Sequence, residues 1–279
     1  MGIFDKCLLA CDIDGTLMAS GYINPKNIER IEYFVKEGGI FSLSTGRSVM
    51  SVSDITEKFD CIGPSVLANG CMIYDYRNSR IMYSISLPSN TGQALKDILS
   101  LKDIDFGIEV HCGENSYTLK RNKMVNNHQI YEKFESPDIT FEDVCKSEWN
   151  KVLVAFNCEE DRKKARDLLD TEIYDCRFID TCTIIYDITN YYLEIIPNGI
   201  SKATALKKIC EMLSIRENGL FAIGDYYNDL EMIKSADIGA FTKDSPEELK
   251  RQADYITCNC KDGAVADFID YLSNLLQKR

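Results

Sequence analysis

Leu8-Leu9-Ala10-Cys11-Asp12-Ile13-Asp14-Gly15-Thr16 is the stretch that decides the architecture of this chain. The apolar run from Cys7 to Cys11, bounded by turn formers, has the length and composition of a buried strand. It delivers two carboxylates to the strand's C-terminal end, followed by a glycine that lets the chain turn sharply. In an open α/β sheet that edge is where ligands bind. Two acids one residue apart repel each other unless a cation or a proton lies between them, so Asp12 and Asp14 predict a metal.

Other strand ends repeat the pattern. Leu220-Phe221-Ala222-Ile223-Gly224 runs into Asp225-Tyr226-Tyr227-Asn228-Asp229, again acids beside a glycine. Ile40-Phe41-Ser42-Leu43 runs into Ser44-Thr45-Gly46-Arg47, a small hydroxyl-and-glycine loop able to turn backbone N–H groups towards an anion. In Gly199-Ile200-Ser201-Lys202, Ser201 is placed to cap the helix that Lys202 begins. Acids, a hydroxyl, a lysine and an amide at strand ends and helix starts are the groups needed to hold Mg²⁺ and a phosphate together.

These four segments, in this order, resemble the four motifs of the haloacid dehalogenase (HAD) superfamily: DxDGT, the Ser/Thr-Gly-Arg loop, the lysine and GDxxND. Ala68-Asn69-Gly70-Cys71-Met72-Ile73-Tyr74-Asp75, Asn198-Gly199-Ile200-Ser201-Lys202 and Ala253-Asp254-Tyr255-Ile256-Thr257 leading to Asp262-Gly263 resemble its Cof-type branch, class IIB. The likeness runs from Leu8 to about Leu272, save a middle stretch where only the pattern of elements is similar.

Alternating strands and helices over residues 8–84, resumed over 198–279, imply a parallel sheet. The expected helices begin at Pro25, Val49, Lys202, Leu230, Pro246 and Ala264. Between them a different pattern is read: a helix over 92–101, strands over 106–111 and 116–119, a strand over 149–156, a helix over 159–169, then a hairpin of 183–187 with 191–195. The expected fold is therefore α/β, a Rossmann-like parallel-sheet HAD core (1–84 and 198–279) carrying an inserted α+β cap of class IIB (85–197). The resemblance makes the insertion the substrate-selecting part, closing over the site.

Composition agrees. A length of 279 residues suits one large or two modest domains. The net charge of −12, from 32 basic and 44 acidic residues, argues against nucleic acid as a partner. No stretch reads as a signal peptide or a membrane span. The twelve cysteines include no CxxC and lie largely in apolar runs (Cys7, Cys11, Cys71, Cys158, Cys210), while Cys258 and Cys260 lack companions at zinc spacing. They are expected to be reduced thiols of a cytoplasmic protein. Oligomeric state is not legible.

The resemblance implies a Mg²⁺-dependent phosphatase acting on small phosphorylated metabolites, sugar phosphates above all. Asp12 is the candidate nucleophile, forming an aspartyl phosphate, and Asp14 the acid and then base. Thr45, with Ser44 as the alternative hydroxyl, and the Gly46 amide are expected to hold phosphate oxygens. Lys202 would neutralise both phosphate and Asp12, and Asn228 would orient on the phosphate side. The expected metal set is Asp12, Asp14 (by its carbonyl), Asp225 and, through water, Asp229. Arg47 either lines the cleft mouth or supports its loop, and Asn69-Gly70 reads as a turn. His111 and His128 show no partner spacing and read as ordinary residues of the insertion. Tyr186, Tyr191 and Tyr192 read as packing within it. A phosphotransferase or phosphomutase on the same scaffold is the alternative. A non-catalytic binding protein is disfavoured, because both catalytic aspartates are present.

Overall fold

Five fully buried residues, Cys7 to Cys11, begin the first layer of structure, in a computed structural model that describes residues 2–59, 62–169, 174–185 and 187–278. The strand β1 (Leu8–Cys11) is followed by the short hairpin β2 (Met18–Ala19) and β3 (Tyr22–Ile23), then α1 (Pro25–Lys36) and β4 (Ile40–Leu43). Asn24 caps α1 by accepting from the Lys26 N–H, and Pro25 occupies a first-turn position where a missing N–H costs nothing. Asn27, Ile31 and Phe34 form its buried face at helical spacing. Next come α2 (Val49–Thr56), β5 (Ser65–Leu67), β6 (Met72–Asp75) and β7 (Arg80–Ser84).

The insertion contains α3 (Thr91–Leu99), β8 (Phe106–Cys112), β9 (Asn115–Lys120), α4 (Lys123–Glu132), α5 (Phe141–Val144), β10 (Lys151–Phe156), α6 (Glu159–Asp167), β11 (Cys176–Ile185) and β12 (Ile188–Pro197). The chain then returns through α7 (Lys202–Leu213), β13 (Leu220–Gly224), α8 (Leu230–Ser235), β14 (Ile238–Phe241), α9 (Glu247–Lys250), β15 (Tyr255–Ile256) and α10 (Cys260–Leu276).

Two compact units result: residues 1–46, 53–82 and 201–279 form one, and residues 47–52 and 83–200 the other. In the first, a wholly parallel sheet has the order β15-β14-β13-β1-β4. β1 and β13 are buried along their whole length, as central parallel strands covered on both faces must be. Their C-terminal ends carry Asp12 and Asp225. β5, read from the sequence as one more strand of the alternation, joins β6 and β7 in a separate sheet, antiparallel to β6, and among the described residues meets β4's line through a bridge between Ser44 and Val66. Its three residues are taken up by the hairpin.

The second unit is an antiparallel sheet of order β11-β12-β10-β8-β9. One face, with Phe106, Ile108, Val110, Val152, Val154, Leu193 and Ile195, packs on α3 and its neighbours to make an apolar core of its own. β11 and β12 extend beyond the expected hairpin to ten residues each. α4, absent from the sequence reading, covers part of the other face. Tyr192 is buried and Tyr191 packs against the core, while Tyr186 lies outside the described residues. Among the described residues, no helix is long and apolar enough to cross a membrane. Of the cysteines expected to be buried, Cys7, Cys11 and Cys71 are; Cys158 and Cys210 are half-exposed, near helix surfaces.

Candidate active site

At the end of β1 the chain reverses through Gly15, whose φ is +84°. A Cβ there would stand 2.3 Å from Asp225 Oδ2, so only glycine lets the first acidic loop approach the second. Thr16, fully buried, donates its hydroxyl to Asp225 Oδ1 at 3.0 Å. This orienting contact was not foreseen, although the hydroxyl was in view within the quoted motif.

Lys202 links the far end of the chain to this loop. Ser201 caps α7 in a reciprocal box with Thr204, which sets Lys202 at the first helical position. Its ammonium, wholly buried, donates to Asp12 Oδ1 at 2.7 Å and to Asp229 Oδ1 at 2.6 Å. Gly70 makes the approach possible: its φ is +107°, and a Cβ would lie 2.2 Å from the Ser201 carbonyl oxygen.

Carboxylate oxygens of Asp12, Asp225 and Asp229 lie within 4.8 Å of one another. Burial pushes the Asp12 carboxyl up to about 7, with Lys202 pulling it back and Asp229 and Asp14 adding to the rise. Burial, then the Asp12 and Asp229 charges, raises Asp225 well above the ordinary carboxylate range. Burial alone would depress Lys202, but Asp12 and Asp229 outweigh it and raise it. One ammonium thus faces three carboxylates, two of them buried and Asp225 half-buried, a set that could hold a divalent cation. The donors are all hard oxygens, which fit Mg²⁺ or another hard divalent ion. Asp229 is the most heavily engaged: besides Lys202, its Oδ2 accepts from the Asp225 and Tyr226 N–H groups at 3.1 and 3.2 Å. Asp14 is half-buried and outside the cluster of three.

The loop expected to hold an anion, Thr45–Gly46, belongs to the same unit. The Thr45 N–H donates to Val66 O at 2.9 Å, and Thr45 O accepts the Asn69 N–H at 3.0 Å. Asn69, buried at a φ of +56°, turns its side chain towards Gly46, where a Cβ would stand 3.1 Å from Nδ2. Asn228 donates to Asn69 Oδ1 at 3.4 Å, which joins the GDxxND loop to the Thr45–Gly46 loop. The Asn69 turn therefore serves the site's frame. Ser44 Oγ is buried without a hydrogen-bond partner among the described residues.

Arg47 is drawn elsewhere. It belongs to the second unit, donates to Ser51 O at 3.1 Å, lies 5.7 Å from the Tyr131 ring centre and reaches Glu132 Oε1 at 3.8 Å. His128, read from the sequence as an ordinary residue of the insertion because no partner spacing shows, meets Glu109 Oε2 at 2.7 Å and Glu132 Oε1 at 3.1 Å. The i,i+4 spacing from His128 to Glu132 was the signal available.

Residues 9–269 match the model of the haloacid dehalogenase-like hydrolases. The chain belongs to that family, in its Cof-type branch, and is an enzyme of the phosphoric monoester hydrolase class. A 5-amino-6-(5-phospho-D-ribitylamino)uracil phosphatase of Bacillus subtilis is 26% identical, with 96% of this chain and 98% of that protein covered. A second Bacillus subtilis phosphatase of the same name is 28% identical over 93% of both. Among solved structures, a haloacid dehalogenase-like hydrolase from Bacteroides thetaiotaomicron superposes with a TM-score of 0.83 at 24% identity, over 95% of this chain and 99% of that one. A HAD subclass IIB sugar phosphatase superposes with a TM-score of 0.80 at 20% identity, over 96% and 99%. The last two establish a common fold.

Proposed function

We propose that this chain is a Mg²⁺-dependent phosphatase of small phosphorylated metabolites, sugar phosphates or related monoesters, working through an aspartyl phosphate on Asp12. The observation that carries the reading is the buried Lys202 ammonium shared by Asp12 and Asp229 beside Asp225. That arrangement presents Asp12 with one oxygen held and its charge balanced. The names of the two Bacillus subtilis relatives support a phosphate ester on a sugar-like carbon chain.

In the proposed reaction an Asp12 oxygen attacks phosphorus while the ester P–O bond breaks, and Asp14 protonates the departing oxygen. Asp14 then takes a proton from water, which cleaves the acyl phosphate and restores Asp12. The Thr45 hydroxyl and the Gly46 N–H hold phosphate oxygens, Lys202 neutralises the transferring group, and Asn228 orients it with Asn69 behind. Mg²⁺ held by Asp12, Asp225, the Asp14 carbonyl and, through water, Asp229 would supply electrostatic stabilisation of the transferring phosphoryl and favour ionised Asp12. The inserted unit, 85–197 as read from the sequence, is assigned the choice of leaving group.

The deciding experiment screens the purified chain with Mg²⁺ against sugar phosphates, nucleotides and cofactor phosphates, reading inorganic phosphate. Turnover that EDTA abolishes and Mg²⁺ restores is the expected result. No phosphate release from any member would refute the proposal, and transfer to a sugar hydroxyl without release would establish the phosphotransferase instead.

A further inference from the structure

The Asp262-Gly263 pair lies inside α10, and there the helix is interrupted: Gly263 has a φ of +103°, a conformation that favours glycine. Helical N–H groups just past such a break have no partner within the helix. Ala266, three residues beyond Gly263, gives its N–H to Asn27 Oδ1 on α1 at 2.9 Å. Asn27 thus does from another helix what a capping side chain does from its own. It is fully buried, so both ends of its amide need partners. The other end, Nδ2, donates to Leu17 O at 3.3 Å.

The turn before the break reaches the adjoining residue of the same loop. Cys260 gives its N–H to Asp244 Oδ2 at 2.7 Å, and its buried thiol donates to Thr16 O at 3.2 Å. Two consecutive carbonyls, those of Thr16 and Leu17, are therefore held by α10, one directly and one through Asn27. Each of the two residues leads on to an acid of the cluster. The Leu17 N–H donates to Asp12 O at 3.3 Å, and the Thr16 hydroxyl donates to Asp225 Oδ1 at 3.0 Å. Every residue in this chain of contacts belongs to the first unit.

We propose that Asn27 and Cys260 are positioning residues of the acidic centre: by holding Leu17 O and Thr16 O against the interrupted start of α10, they fix the loop that keeps Asp12 and Asp225 within reach of one cation. The inference rests on the Mg²⁺ reading of Asp12, Asp225 and Asp229 given above. Groups that orient metal ligands from behind are worth about 10–100-fold in metal affinity.

The test measures Mg²⁺ affinity of the full chain by titration calorimetry, together with amide hydrogen exchange across residues 12–18 in metal-free protein. Asn27→Ala and Cys260→Ala are each expected to weaken Mg²⁺ binding by about tenfold or more and to speed exchange in that segment. Cys260→Ser keeps a donor and should retain most of the wild-type affinity. A merely structural role would lower the urea midpoint and leave Mg²⁺ affinity where it was; that result in a folded Asn27→Ala or Cys260→Ala overturns the proposal. So does a Cys260→Ser no better than Cys260→Ala. If Asn27→Ala does not fold, the two Cys260 variants carry the same expectation and the same refutation. A wild-type chain that binds no Mg²⁺ would refute the metal reading and this proposal with it, whereas wild-type affinity in the variants refutes the proposal alone.

Discussion

A lysine at the first position of a helix stands against the helix dipole, and Lys202 is kept there by the two carboxylates it bridges. Lys202→Met would strand Asp12 and Asp229 as buried, unpaired charges. It is expected to cost about 3–5 kcal/mol in metal-free buffer, read by urea unfolding, as well as turnover. Asp12→Asn should leave circular dichroism unchanged and abolish turnover, because the amide is nearly isosteric and not nucleophilic. Asp14→Asn should cost ~10²–10⁴-fold in kcat through lost proton transfer. Residual wild-type rates in either variant would remove the residue from its role. For the metal, Asp225→Ala should raise the Mg²⁺ needed for activation more than Asp229→Ala does, since Asp229 already serves Lys202 and two backbone N–H groups. Equal effects would reverse that order. Asp12, Asp225 and Lys202 were legible at this scale because their residue types are confined to a few local contexts. Thr16 was not: a hydroxyl's partner lies 209 positions away and leaves no local trace.

Elements were legible where burial is apolar. α1 and α7 bury Ile31 and Phe34, and Ala205, Leu206 and Ile209, at helical spacing. α4 buries Met124, Val125, His128 and Gln129, a face half polar, so apolar periodicity could not reveal it. The polar half exists because Glu109 lies beneath it. This gives α4 a pH signature. Burial alone would depress the His128 imidazolium, but the Glu132 and Glu109 carboxylates outweigh it and lift it to about 10, against 6.5 for the free side chain. A group whose folded pKa is raised contributes stability fully below its unfolded pKa and loses it as pH rises through the folded value. Arg47 and Glu132, with His111 close by, share this environment. The urea midpoint of the second unit is therefore expected to fall between about pH 6.5 and 10, and to fall less in His128→Gln. An equal decline in both proteins would show that the imidazolium is not the cause.

Across the whole molecule, each unit has its own sheet, and the second has a separate apolar core. Units of this kind unfold as separate cooperative steps when their cores are independent. The chain's one tryptophan, Trp149, is buried in the second unit and donates to Val144 O. Its fluorescence follows that unit alone. A ligand that binds only the folded form stabilises what it binds, and the acidic cluster lies in the first unit. Mg²⁺ should therefore raise the far-ultraviolet transition of the first unit and leave the tryptophan midpoint in place, with the shift gone in Asp225→Ala. A tryptophan midpoint that moves with Mg²⁺ as far as the far-ultraviolet one would show a single cooperative unit instead.

Sequence by itself determined the parallel sheet, the strand ends that carry Asp12 and Asp225, and the lysine at the start of α7. Each rests on local chemistry: apolar runs, turn glycines and a capping serine leave the backbone few choices. The α+β character of the insertion was likewise written in its pattern of runs. Only the tertiary structure decided which groups meet. Lys202 bridges Asp12 and Asp229 across 190 and 27 positions. Gly70 is a glycine because α7 begins against it. Arg47, adjacent in sequence to the expected phosphate loop, lies 3.8 Å from Glu132 Oε1. Burial raises the cost of an unpaired charge, and a buried charge takes its partner from whatever the fold brings within reach, at any distance along the chain.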